Sequence, residues 1–239
     1  LIRSASRSFK FEELILLRDS ATLGFARGRL SLTLIENKPE SIFGYLALLD
    51  AGAVQMLQSD DVSDEIFESL LARYEAEFVW LPIERANTLR GYKRLFELES
   101  YCLLETSVHG QKIHEDLAIL LSTSGSTGSP KFARISKYNL IANARSISTF
   151  LSLDKNEKPI TTLPPSYTYG LSIIHSHLIA GAEIIVSDKT FFDRDFWDLF
   201  RDSEATSFGG VPFHYEMLKK LRFTRMDLPT LRTLTQAGG

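Results

Sequence analysis

Short apolar, β-branched runs separated by longer amphipathic stretches recur along the whole chain. That alternation restricts the sequence to mostly parallel sheets covered by helices, the α/β class. A run at Leu30–Ile35 leads into Glu36-Asn37-Lys38-Pro39, where Asn37 is placed to cap a helix and Pro39 suits its first turn. The spacing of Ile42, Tyr45, Leu46 and Leu49 predicts that helix, and Ala51-Gly52-Ala53 ends it with Gly52 as a left-handed cap. Strands are then expected at Val54–Leu57 and Phe78–Leu81, on either side of a helix from Ser63 to Tyr74.

The same phrase returns downstream: a helix, Ala180-Gly181-Ala182, a strand over Glu183–Val186, an acidic helix over Asp193–Asp202, then Glu204-Ala205-Thr206-Ser207-Phe208 and Pro212. Ala-Gly-Ala is a common helix-to-strand turn, so coincidence competes with a true echo. A true echo implies two similar α/β lobes, residues 1–112 and 113–239, joined near His109–Glu115, with ligands held in a cleft between them.

Composition narrows the class further. With 239 residues, 44% of them apolar, and 27 Lys+Arg against 30 Asp+Glu, the chain is globular and has no electrostatic reason to bind nucleic acid or an anionic membrane. Cys102 alone makes neither a disulfide nor a cysteine-rich metal site, which points to a reducing, cytoplasmic setting. No apolar run reaches the roughly 18–20 residues of a membrane span. The chain begins at Leu1 without a signal-peptide core and stops at Leu231-Arg-Thr-Leu-Thr-Gln-Ala-Gly-Gly239, a strand running into a turn, so it is expected to be part of a longer protein.

The chemistry concentrates in one stretch. A buried strand, Asp116–Ser122, delivers Thr123-Ser124-Gly125-Ser126-Thr127-Gly128-Ser129-Pro130-Lys131, and a second strand, Phe132–Ser136, leaves it. Glycines let backbone approach a phosphate, freed N–H groups and hydroxyls donate to its oxygens, and lysine adds charge, so the expected ligand is a polyphosphate. A flexible Ser/Gly linker is the plain alternative, and it leaves the strand-like flanks without a purpose. The nucleotide loop ending in Gly-Lys-Ser/Thr, the dinucleotide fingerprint and the serine-hydrolase elbow all require other spacings.

The run from Thr123 to Lys131 resembles the phosphate loop of the adenylate-forming superfamily, which comprises acyl-CoA synthetases, luciferases and adenylation domains of peptide synthetases. Matching positions are Thr123, Ser124, Gly125, Ser126, Thr127, Gly128, Pro130 and Lys131, while Phe132 replaces the usual glycine. Ser136-Lys137-Tyr138-Asn139-Leu140 is similar to the family's helix start, with Lys137 in place of histidine. Leu163-Pro-Pro-Ser-Tyr167-Thr-Tyr169-Gly170-Leu171 resembles the segment that lines the acyl pocket, with Tyr167 where a water-excluding histidine is usual. A Pro-ended strand with two tyrosines packed in the core is the plain alternative for that segment. Phe208-Gly209-Gly210-Val211-Pro212 resembles the pocket floor, and Gln236-Ala237-Gly238-Gly239 the loop along the adenine.

The resemblance implies ATP, Mg2+ and a carboxylic acid as reactants. An acyl-adenylate would be transferred to the thiol of coenzyme A or of phosphopantetheine on an acyl or peptidyl carrier protein. Nucleotide binding would fall to the loop with Gly238 and Gly239, acyl binding to Tyr167, Tyr169, Gly170, Gly209 and Gly210. The family's catalytic groups are expected beyond Gly239, so residues 1–239 alone are expected to bind ATP weakly and form no adenylate. A non-catalytic nucleotide-binding module and a phosphotransferase with an unusual loop stay open as alternatives. His175 and His177 stand two apart on a helix and face apart, Asp60, Asp61, Asp64 and Glu65 suit an acidic helix start, and Phe196, Trp197 and Phe200 read as core. Ser166-Tyr167-Thr168 offers no carboxylate for an α-ammonium, so fatty, aromatic or hydroxy acids should be activated in an adenylation screen. Turnover of amino acids alone would contradict this.

Overall fold

The computed structural model describes residues 1–19, 23–110, 112–123 and 131–238. The chain opens with two short strands, β1 (Ile2–Arg3) and β2 (Ser8–Phe9), and helix α1 (Phe11–Asp19). Residues 9–36 with 40–140 form one compact unit, and residues 1–8, 37–39 and 141–239 form another.

In the first unit follow β3 (Leu30–Ile35), α2 (Pro39–Asp50), β4 (Val54–Ser59), α3 (Asp64–Tyr74), β5 (Phe78–Pro82), α4 (Ile83–Ala86), β6 (Lys93–Leu98), β7 (Tyr101–Glu105), β8 (Leu117–Thr123) and β9 (Lys131–Ser136). They build a seven-stranded sheet in the order β6-β7-β5-β3-β4-β8-β9. The four inner strands are parallel, while β7 and β6 at one edge and β9 at the other join antiparallel. β3 is buried at every residue, as a strand covered on both faces must be, and Leu32, Leu34, Met56, Phe67, Val79 and Leu81 share its core. The sheet runs through residue 113, where the sequence suggested a boundary: β8, beyond it, pairs with β4.

Local signals explain most ends. Ser63 caps α3, its Oγ accepting from the Ile66 N–H at 3.4 Å. Gly52 (φ +88°) terminates α2 as expected, with Gly52 N–H donating to the Leu49 carbonyl at 3.1 Å and Ala53 N–H to that of Leu48 at 3.0 Å, the paired bonds of a left-handed helix exit. Gly181 (φ +78°) repeats this, with bonds to Leu178 and, from Ala182, to His177. Asn37 departs from expectation: its Oδ1 has no hydrogen-bond partner and its Nδ2 donates to the Leu163 carbonyl at 3.2 Å, so it ties two loops together rather than capping α2.

The second unit carries α5 (Lys137–Phe150, which begins in the first), α6 (Thr168–Ile179), β10 (Ile184–Ile185), α7 (Arg194–Asp202), β11 (Ser207–Gly210), α8 (Pro212–Lys220) and β12 (Thr233–Gln236). β1 pairs with β10 and β11 with β12, both parallel. Pro159 and Ile160 lie between these pairs, bridging to Ser207 and Ile185. Phe196, Trp197 and Phe200 pack with Phe208 and Leu218 in its core. Among the described residues no helix is long and apolar enough to cross a membrane.

One contact in the first unit tolerates no added atom. A Cβ on Gly44 of α2 would lie 2.1 Å from the Trp80 ring, and that indole is 1% exposed and donates from Nε1 to the Ser41 carbonyl at 3.2 Å. Although alanine is the better helix former, Gly44→Ala should lower the unfolding free energy by about 1–3 kcal/mol through overpacking. Urea denaturation measures it, and an unchanged midpoint would show that the indole can retreat.

Candidate functional site

The paired strands β8 and β9 at one edge of the sheet flank the segment that the sequence singled out. Ala118, Ile119, Leu120 and Leu121 of β8 are buried, whereas Ser122, Thr123 and Lys131 are exposed. The stem closes at the pair Thr123–Lys131, and Thr123 Oγ1 donates to the Lys131 carbonyl at 3.1 Å. Ser124, Gly125, Ser126, Thr127 and Gly128 lie outside the described residues, as does Gly239. Among the described residues no carboxylate pairs with the Lys131 ammonium. At the foot of β9, Ser136 Oγ accepts the Asn139 N–H at 3.1 Å and starts α5.

In the second unit, α6, β11, β12 and the end of α5 enclose a cavity of about 460 Å³. One face of α6 supplies Tyr169, Ser172, Ile173, Ser176 and His177 to it, the spacing of a single helical stripe. Ser207, Phe208 and Gly209 form the floor and Thr233 to Ala237 a wall. Tyr169 Oη donates to Thr235 Oγ1 at 2.7 Å, and Tyr215 Oη to the Thr235 carbonyl at 2.5 Å. Gly209 is required by these contacts: a Cβ there would lie 2.5 Å from Ile173 Cδ1 and 2.9 Å from Tyr169 Oη. A Cβ on Gly210 would come within 3.0 Å of the Tyr215 ring and 3.1 Å of His214 Cβ.

Tyr167 precedes α6 and is 42% exposed. Gly238 (φ +77°) packs on it so closely that a Cβ would sit 2.6 Å from Tyr167 Oη. Gly170 has a different role, its α-carbon resting on the Leu163 and Pro164 carbonyls, the latter 2.3 Å from a would-be Cβ. The structure thus joins Tyr169 with Gly209 and Tyr167 with Gly238. Thr235, Ser172, Ile173 and His177 also line or brace the cavity, and sequence reasoning did not single them out as pocket residues. Helical spacing from Tyr169 would have found the α6 residues, whereas nothing local marks Thr235. Among the described residues no group of three or more His, Cys, Asp or Glu could hold a metal.

A sequence profile described as "AMP-binding enzyme" matches residues 20–239. The chain belongs to this AMP-binding enzyme family. It is 26% identical over 153 residues to 2-succinylbenzoate–CoA ligase of Salmonella typhimurium, covering 64% of this chain and 32% of that protein. It is 28% identical over 212 residues to peroxisomal OPC-8:0-CoA ligase 1 of Arabidopsis thaliana, covering 80% of this chain and 39% of that one. The chain therefore spans about a third of the length of these relatives. The fold matches the structure of o-succinylbenzoate CoA synthetase from Bacillus subtilis in complex with its acyl-adenylate intermediate, with a TM-score of 0.76 at 18% identity over all of this chain and 64% of the other.

Burial raises the Tyr169 phenol above its ordinary range and pushes Tyr215 up to about 12, with the neighbouring Tyr169 adding to the latter shift. The fold thus favours the protonated phenols. Their contribution to stability is complete below the unfolded phenol value of about 10 and is lost as pH climbs toward the folded one. Between about pH 9 and about pH 11 the thermal midpoint should fall, and the fall should be smaller in Tyr215→Phe. Equal falls in both proteins would contradict the assignment.

Proposed function

We propose that the protein activates a carboxylic acid with ATP and passes the acyl group to a thiol. The observation that carries this reading is the hydroxyl- and glycine-rich segment held between Thr123 and Lys131 at the end of an exposed hairpin stem, in a chain of the AMP-binding enzyme family. A carboxylate oxygen attacks the α-phosphorus, the bond to the β-phosphate oxygen breaks, and pyrophosphate leaves with the electron pair. Lys131 and the segment's N–H and hydroxyl groups neutralise the charge that develops on it. Magnesium accompanying the nucleotide would share that charge.

The cavity beside Tyr169 and Gly209 receives the acyl chain, and Tyr167 beside Gly238 shields the carboxyl end from water. A thiolate then adds to the acyl carbonyl carbon and AMP departs. The likeness to two CoA ligases favours coenzyme A as acceptor over a phosphopantetheine-bearing carrier protein. Buried Cys102, the single cysteine, suits a cytoplasmic setting.

Product analysis of the complete enzyme tests the reaction class: AMP and pyrophosphate support it, ADP identifies a phosphotransferase, and neither product points to a binding module. In the complete enzyme Lys131→Ala should weaken ATP use by about 1.5–3 kcal/mol, roughly ten- to a hundredfold in kcat/KM, with the thermal midpoint nearly unchanged. Equal ATP dependence in variant and parent would remove the loop from the mechanism.

A further inference from the structure

Two tyrosines from different helices converge on one residue of the cavity wall. Tyr169 of α6 donates from Oη to Thr235 Oγ1 at 2.7 Å, and Tyr215 of α8 donates from Oη to the Thr235 carbonyl at 2.5 Å. Along β12 exposure alternates residue by residue, and Thr235 stands on the less exposed face. Its partner across the strand pair is Gly209.

The missing side chain of Gly209 makes the room in which the two hydroxyls meet. A Cβ there would lie 2.9 Å from Tyr169 Oη and 3.1 Å from Thr235 Oγ1. The Gly210 backbone supplies the phenol's second hydrogen bond, since a phenol oxygen accepts an N–H while giving its own hydrogen elsewhere. On the α6 stripe the serine hydroxyls turn back onto the helix, Ser172 Oγ donating to the Tyr169 carbonyl at 2.8 Å and Ser176 Oγ to the Ile173 carbonyl at 3.2 Å. The polar contacts of the Tyr169 hydroxyl therefore lie in the wall built by β11 and β12.

We propose that Thr235 is a positioning residue for the acid: by holding the Tyr169 hydroxyl in the wall, it keeps the phenol hydrogen out of the space that an acyl chain occupies. Valine at this position has nearly the same shape and no acceptor. The Tyr169 hydrogen then turns to water in the cavity, and an apolar chain that displaces this water leaves the hydroxyl unpaired. The inference rests on the reading of this cavity as the acyl site. It adds the residue through which Tyr169 acts on affinity for the acid.

Calorimetry of the complete enzyme without ATP, titrated with octanoate and with cinnamate, tests it. In Thr235→Val, whichever acid the parent binds more tightly should bind about tenfold more weakly. Thr235→Ser, which keeps the oxygen, should recover to within about threefold of the parent. In a Tyr169→Phe background, where no hydroxyl needs holding, Thr235→Val should change the affinity by less than about twofold. A role in folding alone would weaken binding equally in both backgrounds. Should Thr235→Val fail to fold, Thr235→Ala makes the same comparison. Equal affinity in parent and Thr235→Val, an equal loss in the Tyr169→Phe background, or saturable binding of neither acid by the parent overturns the proposal. AMP formation despite such a result would leave the adenylation reading standing. The expected pattern of affinities without AMP from any acid would do the reverse.

Discussion

The parallel pairing of β8 with β4 is the constraint on which the hairpin stem of β8 and β9 depends. It buries Ala118 to Leu121 inside the seven-stranded sheet, so the strand can leave the core only where Ser122 and Thr123 emerge. β9 returns antiparallel and sets Lys131 opposite Thr123. The two flanks of the small-residue segment are thus fixed at neighbouring points of a paired stem. Without β4 as a template the same residues would be a tether.

Residues with local chemical signals were legible in the sequence. Gly52 and Gly181 end their helices as read, because a left-handed exit demands glycine in the immediate neighbourhood. Phe196, Trp197 and Phe200 are core because helical spacing aligns them. The hairpin of β6 and β7 escaped notice because its turn is made by Glu99 in a left-handed conformation (φ 52°), with no glycine to mark it, and because β6 is largely exposed and loses the apolar pattern. Asn37 carries the composition of a cap but answers to Leu163, far along the chain.

The candidate site divides in the same way. The paired strands that flank Thr123 and Lys131 were readable because apolar runs stand on both sides of the small residues. The boundary near residue 113 was expected from local punctuation, whereas pairing of β8 with β4 joins segments some sixty residues apart. Thr235 in the cavity wall depends on a contact made only after folding. Gly44, Gly170 and Gly209 show a second use of glycine: none is needed for an unusual φ, and each is set by the atoms that crowd its α-carbon.

The residues proposed to handle phosphate and those proposed to line the acyl site stand on separate sheets, the former on the edge of the seven-stranded sheet and the latter around β11, β12 and α6. In the cavity wall Tyr169 Oη donates to Thr235 Oγ1, and the lining residues of α6 follow a single helical stripe. Under the function proposed above, substrate range can drift by single substitutions along one stripe of one helix, and a scaffold partitioned in this way diversifies its acids without having to reinvent its use of ATP.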